Sequence, residues 1–482
     1  MPVGGRSGRR RGEKKMLRRA TLRRAVLVVS LVLLLVLTAS VSTFGAKRVI
    51  VMIGDGMGFK HIEATRNYVG STLTMESLPV KLGSTTFEWG GSYNSSLAWS
   101  SFTYVKSGAT DSASAATAIS TGVKTDNGNI AVDHLDLHRL TTMTEYARTY
   151  GKSSGVVSSV PFSHATPASF AAHNNSRDNY GAIAREMITS FGDGTGARGN
   201  TPTVDVVIGG GHPSYQTGYI NSAEYYALKN GTTGQGWSFV ERKTGVNGST
   251  SLANAASTSS KLFGLYGGSG GNMPYRLANG SGRNIENPTL SDMSLAALTV
   301  LGQDPDGMFL MIEGGAIDWA GHNNNINQMI GEVIDFDNAV GSVMNWVNAV
   351  DPTWMDTLLV VTADHETGYL TKGSGVFPNV ALGSPGVGIL PTSGVHYAWN
   401  STGHTNSLTP VFAKGTGASL LSAYATAYDA GWGLNYLDNT SIFQTIYSAT
   451  VPEPSSLAAI GFGLCALAAC RRRARGKRPA SK

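Results

Sequence analysis

Ser112 follows Asp111 and opens the run DSASAATA at 111–118. Small residues of this kind favour a helix. Its first turn offers free backbone N–H groups and the positive end of the helix dipole to an anion. A serine hydroxyl there is placed to attack phosphorus, but it needs a base or a cation to activate it. Alone, an Asp before such a run reads first as an ordinary helix cap. The rest of the chain adds weight to the first reading. Asp318 and His322 stand four apart, so on a helix they share a face and can hold one metal ion. Asp364 and His365 are neighbours just after an apolar run, where both can reach one ion. Asp55 lies in the glycine-rich turn GDGMG at 54–58, and His404 in a polar loop. Each has a bland alternative: a capping acid, a chance pair, a solvated histidine. Together they offer mixed nitrogen and oxygen donors for two borderline cations, while Glu313, sharing Asp55, suits a harder, oxygen-seeking cation. Paired cations stabilise both the attacking and the leaving oxygen of an in-line displacement, which is the chemistry of phosphoryl transfer. Arg177 can fork onto two non-bridging phosphate oxygens, or be an ordinary surface arginine.

Residues so far apart in sequence need a scaffold that gathers them. Short apolar runs at 47–53, 155–160, 204–208, 308–312 and 357–362 each lead into a turn. Helix-like stretches lie between them, such as 141–150 and 326–350. The second carries Ile330, Val333, Ile334, Phe336, Val340 and Val343 near helical spacing. This alternation predicts an α/β fold with a central, mostly parallel sheet flanked by helices on both faces. Sites in such sheets form beyond the carboxyl ends of the strands. That is where the chain puts Asp55, His164, Glu313, Asp364 and His365. The Gly-, Ser-, Thr- and Asn-rich stretches 212–290 and 371–395 read as long surface insertions that rim the site or form a subunit contact.

Charge and cysteine use narrow the function classes. The formal charge of +6 belongs to the two ends of the 482-residue chain. Residues 47–450 hold 21 basic and 30 acidic residues, which argues against nucleic-acid binding through a basic face. Both cysteines, Cys465 and Cys470, lie near the C-terminus, so the body has neither a disulfide framework nor a thiolate metal site. At the N-terminus, residues 1–46 read as a signal peptide or anchor: a basic region, then an apolar run at 25–41. From Val451 a different regime begins: the string VPEP, an apolar run at 457–469, then an arginine cluster that includes Arg471, Arg472 and Arg473.

The motifs resemble a known family. GDGMG with Asp55, the Asp111–Ser112 pair, HATP at 164–167, EGGAID at 313–318, TADHETG at 362–368 and GHT at 403–405 are similar, in order, to blocks of the Zn/Zn/Mg alkaline phosphatases. The resemblance implies hydrolysis of small phosphate monoesters with Ser112 as the nucleophile and a phosphoseryl intermediate. It puts one zinc on Asp318, His322 and His404, and the other on Asp55, Asp364 and His365. It places Asp55, Thr166 and Glu313 around a third ion, Mg2+ or alternatively Zn2+ or Co2+, which His164 could also ligate. Arg177 matches the phosphate-binding arginine, and the family is usually homodimeric. Trp319 stands where other members carry Lys or His. The other histidines (His61, His134, His138, His173, His212 and His396) read as surface or structural. The tail at 451–482 resembles the PEP-CTERM sorting signal, which implies export, temporary membrane anchoring and processing by an exosortase-type enzyme. The phosphatase domain is thus expected over 47–450. Its rivals are a phosphodiesterase or sulfatase of the same superfamily, and a catalytically inactive, surface-anchored matrix protein.

Overall fold

Val49, Ile50, Val51, Met52 and Ile53 are all fully buried, and alternate side chains enter two different cores. Ile50 and Met52 join one; Val49, Val51 and Ile53 join the other. A strand that is apolar on both faces needs a covering layer on each side. This strand is β1 (Arg48–Gly54) of a computed structural model that describes residues 45–189, 203–268, 273 and 276–451. The expected leader, except for its last two residues, and residues 452–482 of the expected sorting tail, with Cys465 and Cys470, lie outside the described residues.

The strands that follow are β2 (Val80–Thr85), β3 (Ser153–Pro161), β4 (Val206–Gly210), β5 (Ser238–Glu241), β6 (Leu262–Leu265), β7 (Met308–Gly314) and β8 (Thr357–Thr362). Four two-residue strands come next: β9 (Glu366–Thr367), β10 (Leu370–Thr371), β11 (Ala398–Trp399) and β12 (His404–Thr405). The last are β13 (Thr409–Gly415), β14 (Ala427–Asp429) and β15 (Leu434–Asp438). Among the described residues, eleven strands form one sheet in the order β14-β15-β2-β13-β8-β1-β7-β3-β4-β6-β5. β1 runs parallel between β7 and β8, with Ile53 beside Glu313 on one side and Thr362 on the other. β3 lies parallel to β7, which sets Ser158 beside Glu313. Only the pairings of β13 and the β14–β15 hairpin are antiparallel in this sheet. Four adjacent strands, β8, β1, β7 and β3, therefore end side by side.

One face is covered by the helices Phe59–Val69, Gly248–Ala256, Leu290–Leu301 and Ile326–Val350. The last begins where the Asn325 side chain accepts from the Gln328 N–H at 3.1 Å, and it presents Ile330, Val333, Phe336, Val340 and Val343 to the core. The other face carries Ser112–Thr121, Met143–Thr149, Ala165–Ala171, Tyr180–Thr189 and Thr440–Thr450. Ser112–Thr121 is buried along its whole length, which its alanines, serines and threonines permit because they are small. It stops at Gly122, whose φ is +75° and where a Cβ would come within 2.4 Å of the Phe443 ring.

The expectation for 212–290 needs correcting. This stretch contains β5 and β6, the outer strands of the sheet, and the helices Ser222–Lys229 and Gly248–Ala256. Leu262, Phe263 and Leu265 are fully buried. Strands of four residues are too short for their periodicity to rise above the loop composition around them. Apart from Thr371, which closes β10, residues 371–395 are loop between β10 and β11, with Val387, Ile389 and Val395 exposed. No helix among the described residues is long and apolar enough to cross a membrane.

Candidate active site

The carboxyl ends of the four adjacent strands deliver the expected residues to one place. β1 runs into Asp55, β7 ends with Glu313, β8 precedes Asp364 and His365, and β3 precedes His164 and Thr166. Asp318 and His322 sit on the Ala316–His322 helix that follows β7, and His404 opens β12, which pairs with β9. The turn after β1 is possible because Gly56 adopts φ +71°; a Cβ there would lie 2.7 Å from Thr367 Oγ1.

Ser112 Oγ lies 3.1 Å from His365 Nε2, and Ser112 is 1% exposed. The same Nε2 is 3.2 Å from Asp364 Oδ2 and 3.4 Å from Asp55 Oδ1. Donor atoms of Asp55, Asp364 and His365 all fall within 4.8 Å of one another, a spacing that one ion can bridge. A second such group is Asp318, His365 and His404. His322, expected as its third member, joins through its neighbours: its Nε2 is 3.3 Å from Asp318 Oδ2 and 3.1 Å from His404 Nε2. The His365 and His404 rings stack at 3.5 Å, so the two trios form one continuous cluster.

Backbone carbonyls orient two of the imidazoles. His322 Nδ1 donates to the Thr402 carbonyl at 2.6 Å, and His404 Nδ1 donates to the Thr110 carbonyl at 2.8 Å. In the neutral ring, with Nδ1 protonated, each Nε2 keeps a lone pair for a cation shared with Asp318, the usual arrangement of a metal-binding histidine; when Nε2 is protonated it donates to Asp318 in the cation's place. Thr367 Oγ1 donates to Asp318 Oδ1 and lies 3.3 Å from His365 Nδ1. Gly56 N–H donates to Asp364 Oδ1 at 3.0 Å.

A third set lies beside Asp55. Glu313 is fully buried, accepts a short hydrogen bond from Ser158 on Oε2 and leaves Oε1 without a partner. Thr166 Oγ1, His164 Nδ1, Asp364 Oδ2 and both oxygens of Asp55 are also buried with no hydrogen-bond partner. The buried unpartnered atoms of Asp55, Asp364, Glu313 and Thr166, which lie together, are costly unless a cation satisfies them. The donor set, with its carboxylates, imidazoles and one hydroxyl, fits divalent zinc and magnesium.

Electrostatics point the same way. Burial, reinforced by the charges of Asp364, Asp318 and Glu313, holds Asp55 well above the usual carboxylate range. Burial lifts Glu313 to about 7 and Asp364 to about 6. Burial also acts to raise Asp318, but hydrogen bonds from His322 and His404 outweigh it and hold that acid well below its ordinary value. Hydrogen bonding to Asp318 lifts His322 to about 9, whereas burial drives His365 well down. This cluster of buried acids takes up either protons or cations.

Arg177 stands beside the cluster. Its Nη1 donates to Asp111 Oδ2 at 2.9 Å, and its Nη2 lies 3.5 Å from His164 Nε2. Burial opposes the charge on Arg177, and Asp111 more than restores it. His164 is driven down to about 3 by burial and by Arg177, so it is neutral. Trp319 meets the His164 ring edge-on at 5.8 Å.

The geometry brings together every expected site residue: Asp55, Ser112, His164, Thr166, Arg177, Glu313, Asp318, His322, Asp364, His365 and His404. It also adds residues given no role from the sequence. Ser158 and Thr367 hold ligand-type side chains, and Asp111 holds Arg177. Ser158 could have drawn attention only through its place on a strand ending at the site, and Thr367 only through its place in the TADHETG block. Of the remaining histidines, His61, His173 and His212 are buried and His138 is exposed.

The sequence model of the alkaline phosphatase family matches residues 46–384, and that of the PEP-CTERM protein-sorting motif matches residues 450–473. Alkaline phosphatase 3 of Bacillus subtilis is 33% identical over 331 residues, covering 68% of this chain and 63% of that protein. The chain thus spans a little under two thirds of the length of that relative. The alkaline phosphatase of Escherichia coli K12 is 32% identical, covering 68% of this chain and 71% of its own length. A mutant of the alkaline phosphatase from the Antarctic bacterium TAB5, solved with Mg in its M3 site, superposes with a TM-score of 0.61. It is 26% identical and covers 84% of this chain and 98% of its own. These matches and the eleven-stranded, mostly parallel sheet show that the chain belongs to the alkaline phosphatase family.

Proposed function

We propose that this protein is an exported, metal-dependent alkaline phosphatase that hydrolyses phosphate monoesters through a phosphoserine at Ser112. The observation that carries the reading is the 3.1 Å approach of the buried Ser112 Oγ to His365 Nε2 at the edge of a cluster of unpartnered carboxylate oxygens. Asp318, His322 and His404 would hold one zinc, and Asp55, Asp364 and His365 the other. Asp55, Glu313, Thr166 and His164 would serve a third ion, for which Mg2+ is the first choice. When bound, these cations supply positive charge to the phosphoryl oxygens and ease ionisation of the nucleophile and leaving group.

The chain's own residues perform the rest. Arg177 donates two N–H groups to non-bridging phosphate oxygens and fixes the phosphorus above Ser112. Ser112 Oγ forms a bond to phosphorus as the bond to the ester oxygen breaks, and the alcohol leaves with a proton. Water then attacks the phosphoserine from the side the alcohol vacated, which frees Ser112 and inorganic phosphate. Two in-line displacements predict net retention of configuration at phosphorus.

The same reading covers location and assembly. The sorting-motif match supports export, exosortase processing and temporary membrane attachment through the terminal segments. The family resemblance supports a homodimer. The test of the chemistry uses the metal-loaded protein and acid quenching during turnover. Phosphate is expected on Ser112 in the wild type, with turnover lost in Ser112→Ala by at least about a thousandfold. Wild-type turnover in that variant would sink the mechanism. Faster turnover of diesters or sulfate esters than of monoesters would favour the related hydrolases, and an inert metal-loaded wild type would favour the matrix protein.

A further inference from the structure

Beside the candidate site lies a hollow of about 530 Å³ that none of the roles above uses. Phe102 and Trp399 give it aromatic walls, and Lys106, Asn324, Asn400 and Thr402 give it polar ones. Among the described residues, no carboxylate lines it. Lys106 is exposed, and among the described residues its ammonium makes no ion pair. The hollow thus offers one positive charge, the amide oxygens of Asn324 and Asn400, the hydroxyls of Ser374 and Thr402, and flat apolar surface.

Its position relates it to the chemistry. Thr402 belongs to the wall, and its carbonyl is the acceptor that orients His322. Asn324 follows His322 by two residues and adopts φ +51°. With its amide turned to satisfy both neighbours, it donates to the carbonyls of Ser401 and Gly321 at 2.8 and 2.9 Å. The wall therefore spans the end of the His322 helix and the loop leading to His404. Ser112 sits at His365, and the cluster continues from there through His404 to His322. An in-line displacement started by Ser112 sends its leaving group to the side opposite Ser112. The 371–395 loop adds Ser374 and Gly375, and Asn400 Oδ1 accepts from the Gly375 N–H at 3.2 Å. Asn400 Nδ2 donates to Thr371 Oγ1 at 2.8 Å, so this wall is anchored to the sheet hairpin rather than loose.

We infer that this hollow receives the alcohol portion of the substrate, and that it suits polyhydroxylated alcohols bearing a second negative charge, of which sugar bisphosphates are the simplest. Lys106 pairs with the second anionic group, the amide oxygens and the Ser374 and Thr402 hydroxyls meet the sugar hydroxyls, and Trp399 and Phe102 cover the apolar face of the ring. The inference rests on the phosphatase reading and adds a substrate class to it.

The test compares kcat/KM for a hexose 6-phosphate with that for the same hexose carrying phosphates on carbons 1 and 6. Both are measured on metal-loaded wild type, Lys106→Gln and Lys106→Arg at one ionic strength. Wild type is expected to favour the bisphosphate. In Lys106→Gln the bisphosphate-to-monophosphate ratio should fall about fivefold, the size of one partly exposed ion pair, and Lys106→Arg should restore it. A ratio that stays within about twofold in Lys106→Gln overturns the assignment while leaving the phosphatase reading intact. A wild type that hydrolyses neither sugar phosphate nor any other monoester overturns both.

Discussion

Arg177 Nη1 donates to Asp111 Oδ2 at 2.9 Å, and Asp111 is the residue directly before Ser112. One carboxylate thereby links the proposed nucleophile to the proposed phosphate clamp. Asp111 Oδ1 caps the Ser112–Thr121 helix by accepting from the Ser114 N–H at 2.9 Å. Its Oδ2 accepts from Gly128 N–H at 3.0 Å as well as from the guanidinium. Asn caps a helix about as well as Asp does, but it carries no charge to aim an arginine. Asp111→Asn is therefore expected to leave the melting temperature within a few degrees while weakening phosphate inhibition about three- to tenfold. Inhibition by inorganic phosphate in steady-state assays reads the second effect. An unchanged inhibition constant would show that Arg177 needs no help from Asp111.

Thr367 has a comparable role on the other side of the cluster. Its hydroxyl donates to Asp318 and approaches His365, so it touches a member of each expected zinc trio. Removing a group that orients metal ligands typically costs ten- to a hundredfold in affinity. Thr367→Val keeps the branched shape that β9 and the Gly56 turn pack against. Competition with a chromophoric chelator should show zinc released about ten times more readily from the variant than from wild type. Equal retention would mean that the ligands hold their geometry without this hydroxyl.

The parts of the site that were readable from sequence share a property. Asp55, Glu313, Asp364 and His365 each sit at or just past the end of an apolar run, where both the strand and its exit are marked locally. Asp318 and His322 were readable because helical spacing alone puts them on one face. Asp111 as the holder of Arg177, Thr367 as the bridge, and Ser158 as the partner of Glu313 depend on distances between segments. The Ser158–Glu313 contact follows from the register of β3 on β7, which no local pattern encodes. The same reason explains β5 and β6: their few buried residues make sense only against β4, the strand they extend. His173 was assigned no role because a lone histidine carries no signal until its neighbours are known.

Those neighbours give His173 a consequence for stability. Its Nδ1 lies 2.8 Å from Glu186 Oε1 and its Nε2 3.5 Å from Glu145 Oε2, with the histidine side chain 4% exposed. Arg139 also approaches Glu186, at 3.4 Å. Burial opposes protonation, but hydrogen bonds to Glu145 and Glu186 outweigh it and raise His173 to about 9. In the unfolded chain the value returns to about 6.5. A folded value above the unfolded one stabilises the fold fully below about pH 6.5, progressively less up to about 9, and not at all beyond. His173→Gln should therefore lower stability by about 2 kcal/mol at pH 6, where wild type holds a charged imidazole between two acids. The two proteins should converge as the pH rises past 9. Urea unfolding of the metal-loaded protein at several pH values measures the difference directly. A gap between wild type and variant that stays constant from pH 6 to about 9.5 would mean that the contribution of His173 is packing rather than charge.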